Sequence, residues 1–282
     1  MLGLVVEGGA NRTYYSIGVM DAFIDLGIEV DFFVGVSAGV ANGTSYISRQ
    51  KGRAIEIGLK YVPDKRYMGI KYFLKKGNGS YYNRDFIFNS IPNELVPFDY
   101  ETFRNYPGEV YAVVTNLDTG KPEYKRVDPD DKEWNLIQAS CALPFFFKPI
   151  ELSDGLYFDG GCSDPLPVEF AFKKGCNKII SILTREEAYR KETETDVRLS
   201  SFLYRKNTDF AKTLKIRSKI YNDSKEYLYQ KRREGKAFVF APKCTKDWKR
   251  TEKSPQKLRE MYNEGYRDAV ERFEELKEFI NS

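Results

Sequence analysis

One amino acid is missing from the chain altogether: none of its 282 residues is a histidine. Histidine is the usual base beside a catalytic serine and the commonest metal ligand, so a Ser-His pair and a histidine metal site are both excluded. Cysteine is scarce, and no two cysteines have C-x-x-C spacing. We therefore expect no metal and reduced thiols, with disulfides as the alternative. The cysteines are Cys141, Cys162, Cys176 and Cys244.

Long hydrophobic runs are missing too. No stretch approaches the 18 apolar residues of a membrane span. The first residues, MLGLVVEGGANR, have neither the basic segment nor the long apolar run of a signal peptide. The sequence therefore predicts a cytoplasmic protein, with peripheral membrane contact left open.

Charge is present but uneven. The net charge is +4, yet residues 203–250 carry 15 Lys and Arg against 5 Asp and Glu. Such a segment is typical of contact with an anionic membrane surface or nucleic acid, although a solvated helix face is the favoured interpretation. No nucleic-acid reading motif accompanies the charge, so we expect no nucleic acid as a partner.

Short apolar runs alternate with amphipathic segments, which favours a parallel sheet covered by helices. Residues 60–108 are aromatic-rich and less periodic, and we expect them to cover a pocket. We predict a single α/β domain over residues 1–282, with a motif-bearing core over about 1–185 and a helical part over about 186–282. The predicted strands are 2–7, 32–36, 109–116, 178–184 and 237–242, and the predicted helices are 16–27, 38–50, 205–232 and one beginning after Ser254.

The stretch DFFVGVSAGVANG contains a G-x-S-x-G at Gly35, Ser37 and Gly39. A buried strand precedes it and a run of small residues follows, as expected for a serine nucleophile on a strained turn between strand and helix. A serine that merely caps an ordinary helix is the alternative. If Ser37 is a nucleophile, its base must be Asp, Glu, Lys, Tyr or a cysteine thiolate.

Two further stretches are candidates for the same chemistry. Asp159 follows apolar residues and precedes Gly160 and Gly161, so its carboxylate can point into a site; an Asp-Gly turn is the alternative. Gly8 and Gly9 follow the first strand, where exposed backbone N–H groups can hold an oxyanion or a phosphate. No G-K-[ST] ends that loop, so it is not a nucleotide-binding P-loop.

Taken in order, these pieces resemble the patatin-like phospholipase family. The family's glycine-rich loop corresponds to residues 8–13, its serine motif to 35–39 and its D-G-[GA] to 159–161. Residues 139–144, ASCALP, are similar to a further family motif, and the resemblance covers about residues 1–185. It implies a three-layer α/β/α fold with a central, mostly parallel sheet. It also implies fatty-acyl ester hydrolysis through an acyl-serine, with no cofactor and a lipid or other fatty-acyl ester as substrate.

The resemblance also assigns roles. Ser37 is the implied nucleophile and Asp159 its implied proton acceptor, which needs no histidine. The N–H groups of Gly8, Gly9 and Ala10 form the implied oxyanion hole, and Arg12 is expected to support that loop or to meet a phosphate. The implied motif glycines are Gly35, Gly39, Gly160 and Gly161.

Two residues depart from the family pattern: Ala10 and Thr13 stand where it has glycine. If either position needs a positive φ, the oxyanion loop is distorted. A catalytically weak lipid-binding or regulatory protein on the same fold is therefore one alternative. An acyltransferase, with the same acyl-serine and a different acceptor, is the other.

Overall fold

The structure is a computed structural model that describes residues 1–192 and 202–282. In these residues, eight strands form one sheet in the order β5-β6-β3-β2-β1-β7-β8, with β4 paired to β3. Neighbouring strands from β3 to β8 along this order run parallel, whereas β4, β5 and β6 pair antiparallel. The strands are β1 (Leu2–Val6), β2 (Phe32–Val36), β3 (Glu109–Asn116), β4 (Pro122–Arg126), β5 (Ile150–Leu152), β6 (Gly155–Asp159), β7 (Lys178–Ile182) and β8 (Ala237–Phe240).

Helices cover both faces of this sheet. The first six are α1 (Tyr14–Asp25), α2 (Ala38–Ile47), α3 (Arg53–Tyr61), α4 (Lys71–Leu74), α5 (Tyr100–Arg104) and α6 (Asn135–Ser140). The others are α7 (Val168–Lys173), α8 (Thr208–Lys215), α9 (Arg217–Arg233), α10 (Pro255–Glu271) and α11 (Phe273–Asn281), with a π-helix at Phe86–Leu95. Apolar side chains of α1, α2, α10 and α11 pack on one sheet face, and those of α7 and α9 on the other. The predicted α/β/α layering with a mostly parallel sheet is confirmed.

The C-terminal elements are part of this layering. β8 extends the sheet beside β7, and α10 crosses α1 at close range. A Cβ on Gly265 of α10 would lie 2.0 Å from the carbonyl oxygen of Tyr15 in α1. Glycine is required there because the two helix backbones touch.

Several predicted elements differ from those observed. α1 begins at Tyr14, two residues before the predicted start, after a 3-10 turn at Ala10–Thr13. The predicted helix over 205–232 is two helices separated by Ile216, and the C-terminal helix is interrupted at Arg272. Strands β4 to β6 were missed because they are short and antiparallel, and β4 is too polar to resemble a buried strand.

The basic segment 203–250 forms largely solvated helix faces. Several of its cations pair with acidic side chains on the same helix, one turn away, as is common on exposed helices. Examples are Lys212 with Asp209 at 2.8 Å and Lys219 with Asp223 at 2.5 Å. The charge excess is therefore partly compensated locally.

Candidate active site

Ser37 occupies a sharp turn between β2 and α2. Its backbone has φ +56° and ψ −131°, and Ala38 begins the helix directly after it. This positive-φ conformation lies outside the left-handed helical region and costs a residue other than glycine about 1–3 kcal/mol, and it is typical of the strained turn that exposes a nucleophilic serine. Gly35 lies in β2 and Gly39 in the first turn of α2. Ser37 is half-buried and lines a cleft.

Ser140, the last residue of α6, holds this turn in place. The amide N–H of Ser37 donates to Ser140 Oγ at 2.9 Å, and that hydroxyl donates to the carbonyl oxygen of Val113 at 2.7 Å. Ser140 is fully buried. One hydroxyl group thus ties the strained turn to β3.

Asp159 lies next to Ser37 because two strands share one edge of β3. β2 pairs with β3 as far as Val36 opposite Val113, and in the next position Asp159 of β6 is opposite Val114. Both β3 residues also pair with β4, so β2 and β6 are on the same edge of β3. Since Ser37 follows Val36, this register brings the two candidate residues together.

The Asp159 carboxyl is buried, with 5% of the residue exposed. Burial raises its pKa, against the positive charge of Arg217, a hydrogen bond from the Ser37 hydroxyl and one from the N–H of Gly161 at 2.8 Å. The net direction is upward, which makes this carboxylate a better proton acceptor than an exposed one. Arg217 also donates from Nε to the carbonyl oxygen of Gly161 at 2.8 Å, within the 3-10 turn that begins at Gly160.

The loop of residues 8–10 passes directly over the serine. A Cβ on Gly8 would lie 2.8 Å from the Cβ of Ser37, so only glycine fits there. In the described parts of the chain, the backbone N–H groups of Gly8, Gly9 and Ala10 donate to no other residue. Unpaired amides beside a serine hydroxyl are the donors that an oxyanion requires.

Side chains on either side anchor this loop. The N–H of Thr184 donates to Glu7 Oε2 at 2.6 Å, and Thr184 Oγ1 donates to the carbonyl oxygen of Gly8 at 3.0 Å. At the other end, Thr13 Oγ1 donates to the carbonyl oxygen of Ala10 at 2.7 Å and accepts from Asn42 Nδ2 at 2.8 Å. The loop is therefore fixed at both ends.

The two departures from the glycine pattern have different consequences. Ala10 has φ +48°, in the region that favours glycine, so this alanine is strained. Thr13 has φ −66° and ψ −3°, which any residue adopts. The expectation that Thr13 threatens the loop has no backbone basis, because its hydroxyl instead braces Ala10.

Arg12 lines the cleft and is buried, with 7% of the residue exposed. Its Nε has no hydrogen-bond partner among the described residues. Burial, together with the charges of Arg185 and Arg250, lowers its pKa to about 10. A buried guanidinium that faces other cations is a favourable place for an anion.

The cleft has a volume of about 240 Å³, and its lining combines cations with apolar side chains. The cations that line it are Arg12, Arg53, Lys191, Arg217 and Arg250. The apolar and aromatic side chains that line it include Tyr67, Tyr82, Ile87, Phe88, Ile91, Pro92, Ile137, Leu143, Phe146 and Phe147. Residues from 60–108 thus line the cleft, as the sequence predicts. Ser37 and Asp159 also line it.

Comparison with known proteins agrees with this geometry. The family model described as patatin-like phospholipase matches residues 4–172. The chain belongs to the patatin-like phospholipase family. The match contains the glycine loop, the serine turn and Asp159, and it ends in α7.

Three relatives of this patatin-like chain are 27–28% identical to it over the matched residues. YjjU of Escherichia coli, an uncharacterized protein, is 28% identical over 189 residues, which are 65% of this chain and 52% of that protein. The lysophospholipase nte1 of Aspergillus terreus is 27% identical over 192 residues, covering 64% of this chain and 12% of that protein. The mouse patatin-like phospholipase domain-containing protein 6 is 28% identical over 194 residues, covering 64% and 13%. The chain thus spans about half of YjjU and a small part of the others.

Two further matches are a solved structure that covers most of the chain and a family model that covers its C-terminal part. VipD from Legionella pneumophila, known from a crystal structure, matches with a TM-score of 0.47 and 13% identity, over 95% of this chain and 66% of that one. Residues 207–281 match a domain of unknown function, DUF6363. This second match includes Arg217, which approaches Asp159 in this patatin-like chain. The single domain over 1–282 stays a prediction.

Ser140 is the side chain beside the candidate nucleophile that sequence reasoning missed, because the ASCALP stretch gives it no role of its own. The sequence argues against Cys141, the next residue, as an alternative nucleophile, because no histidine can activate it. Burial, and the nearby charge of Asp159, raise the pKa of the Cys141 thiol. That thiol is therefore a poor nucleophile at neutral pH.

The described residues contain neither a cluster of metal ligands nor a helix that could cross a membrane. Within residues 1–192 and 202–282, no group of three or more cysteine, aspartate or glutamate side chains is arranged to hold a metal ion. Among the helices described, none combines the length and apolar character needed to cross a bilayer.

Proposed function

We propose that this protein hydrolyses fatty-acyl esters of lipids, as a phospholipase, lysophospholipase or carboxylesterase, with Ser37 as nucleophile and Asp159 as its base. The observation that carries the proposal is the meeting of a strained serine, a buried carboxylate and three unpaired amides at one cleft. Family membership and relatives named as lysophospholipases support the same class of reaction.

The proposed reaction has two halves. Ser37 Oγ attacks the ester carbonyl carbon while its proton passes to Asp159, and the N–H groups of residues 8–10 stabilise the oxyanion. The ester C–O bond then breaks, Asp159 returns the proton to the leaving alcohol, and the acyl group stays on Ser37. Water attacks this acyl-serine with Asp159 again as base, which releases the fatty acid and restores the serine hydroxyl.

The mixed lining of the cleft favours a substrate with an acyl chain and an anionic group. The apolar side chains suit the acyl chain, whereas Arg12 and Arg217 suit a phosphate or carboxylate near the scissile ester. A phospholipid or lysophospholipid has both features, which favours it over a neutral ester.

Labelling with a reactive fluorophosphonate, followed by mass measurement and peptide mapping, tests the dyad without a known substrate. We expect one adduct, on Ser37, and none in Ser37→Ala. Asp159→Asn should slow labelling and turnover by about 10²–10⁴-fold, because the general base is lost while the fold is kept.

Asp164→Asn is the matched control. Asp164 lies two residues beyond the 3-10 turn that follows β6, and burial raises its pKa to about 6, but its carboxylate accepts from Tyr124 at 2.7 Å and does not line the cleft. It should label like the unchanged protein. Full labelling of Asp159→Asn would place the base elsewhere. No serine adduct at all would favour the lipid-binding alternative, to which the strained Ala10 lends support.

A further inference from the structure

Four large apolar side chains are exposed on one part of the surface. Ile70 and Leu74 are 78% and 87% exposed, and Phe73 and Phe145 are 37% and 43% exposed. Ile70, Phe73 and Leu74 are spaced i, i+3 and i+4 around α4, so they share a face. Single exposed apolar residues are ordinary, but a group of this size marks an interaction site.

This group lies on the outer side of the apolar wall of the cleft. The Phe73 ring is 6.3 Å from the Tyr81 ring, Tyr81 is 6.0 Å from Phe146, and Phe146 is 5.5 Å from Phe145. Phe146 itself lines the cleft. A continuous row of aromatic rings therefore leads from the exposed group to the cavity.

Positive charges surround the exposed group. Residues 61–79 contain one acid, Asp64, and its carboxylate is paired with Arg66 at 2.7 Å. Lys148 is adjacent, since its N–H donates to the carbonyl oxygen of Gly79 at 2.8 Å. The exposed cations here are Lys65, Arg66, Lys71, Lys75, Lys76 and Lys148. We call these cations and the four apolar side chains the docking surface.

We propose that the docking surface binds an anionic lipid bilayer, with its apolar side chains in the interface and its lysines among the head groups. Apolar insertion and basic attraction are the two contributions that hold peripheral proteins on membranes. The row of aromatic rings then leads from the source of acyl chains to the cleft. This last point rests on the proposed function, whereas the binding itself does not. The membrane contact that we propose therefore involves residues 65–76 and 145–148 instead of the basic segment 203–250.

Co-sedimentation with phosphatidylcholine vesicles, with and without phosphatidylglycerol, tests the docking surface. The full chain with Ser37→Ala is used, so that lipid binding is scored without turnover. We expect binding that requires phosphatidylglycerol and weakens with salt. Ile70→Ser with Leu74→Ser should weaken it by about tenfold or more, and Lys75→Gln with Lys76→Gln by about tenfold.

Matched controls change the same chemistry elsewhere. Val270→Ser alters another exposed apolar residue, 45% exposed on α10, and Lys173→Gln with Lys219→Gln removes the same charge from other helices. Both controls should bind like the parent.

Equal binding to neutral vesicles, or equal losses in the controls, would overturn the proposal. A concentration-dependent dimer that Ile70→Ser with Leu74→Ser abolishes would also overturn it, because the occupant would be a second copy. In the protein that keeps Ser37, the docking variants should lose hydrolysis of vesicle lipid but keep hydrolysis of a short soluble ester. Loss of both would place the residues in the cleft instead, against the proposal.

Discussion

Ser140 is a residue whose removal has a cost that the structure allows us to work out. Its hydroxyl accepts from the N–H of Ser37 and donates to the carbonyl oxygen of Val113; both bonds are short, the second is buried and the first is partly buried. Ser140→Ala leaves these two backbone groups without that partner. An unsatisfied buried group costs about 1–3 kcal/mol and a partly buried one costs less, so we expect a loss of about 1–4 kcal/mol in the free energy of unfolding.

The same substitution at two other buried serines should have the opposite sign. Ser16 in α1 and Ser181 in β7 are fully buried, but their hydroxyls have no hydrogen-bond partner among the described residues. Removing an unpaired buried hydroxyl should leave stability unchanged or raise it by up to about 1 kcal/mol. The comparison therefore separates lost hydrogen bonds from the mere loss of an oxygen atom.

Urea unfolding followed by circular dichroism measures the three variants, and fluorophosphonate labelling reports on the turn itself. Ser140→Ala should also slow labelling, because the Ser37 backbone at φ +56° loses the bond that holds it in that conformation. Equal stability of all three variants would refute the reasoning. A stable Ser140→Ala protein with unchanged labelling would show that the turn needs no such support.

Three more predictions follow from the same geometry. Arg217→Gln should shift the acid limb of the kcat/KM profile to higher pH. The positive charge of Arg217 lowers the pKa of Asp159, and activity needs the ionised carboxylate. Arg217→Lys keeps the charge and should leave the acid limb near its original pH. Ala10→Gly should change the free energy of unfolding by no more than about 1 kcal/mol, because the relieved strain offsets the added entropy of the unfolded chain, and it should not lower turnover. Ala10→Val should lose activity. Gly265→Ala should cost about 3 kcal/mol in thermal unfolding, since its Cβ would lie 2.0 Å from a carbonyl oxygen of α1, and Gly69→Ala, where nothing lies within 4 Å, should be neutral.

Most of the candidate site can be predicted from the sequence, because strained turns and glycine loops need particular residues at fixed short spacings. Ser37, Asp159 and residues 8–10 were all singled out, and the structure brings them to one cleft. What the sequence could not give is the register of β3, which places β2 and β6 end to end on one edge. Register depends on pairing between distant segments, and no local pattern encodes it.

The role of the C-terminal part was hidden for a related reason. Its charge pattern predicts a solvated or membrane-facing helix, and composition cannot say which of its cations turn inward. Arg217 is the first residue of α9, and its Nε reaches the carbonyl oxygen of Gly161 beside the candidate base. Only the packing of α9 against the sheet, which follows from the buried face of that helix, brings Arg217 there.

Asp159 is the candidate base in a chain without histidine, and two opposed influences act on its pKa. Burial disfavours the charged carboxylate and raises its pKa, whereas Arg217, the Ser37 hydroxyl and the Gly161 N–H favour the charged form and lower the pKa. Because burial prevails, the pKa is raised overall, and the ionised carboxylate is a stronger base than an exposed one. Through Arg217, the C-terminal segment thus acts on the pKa of the candidate base.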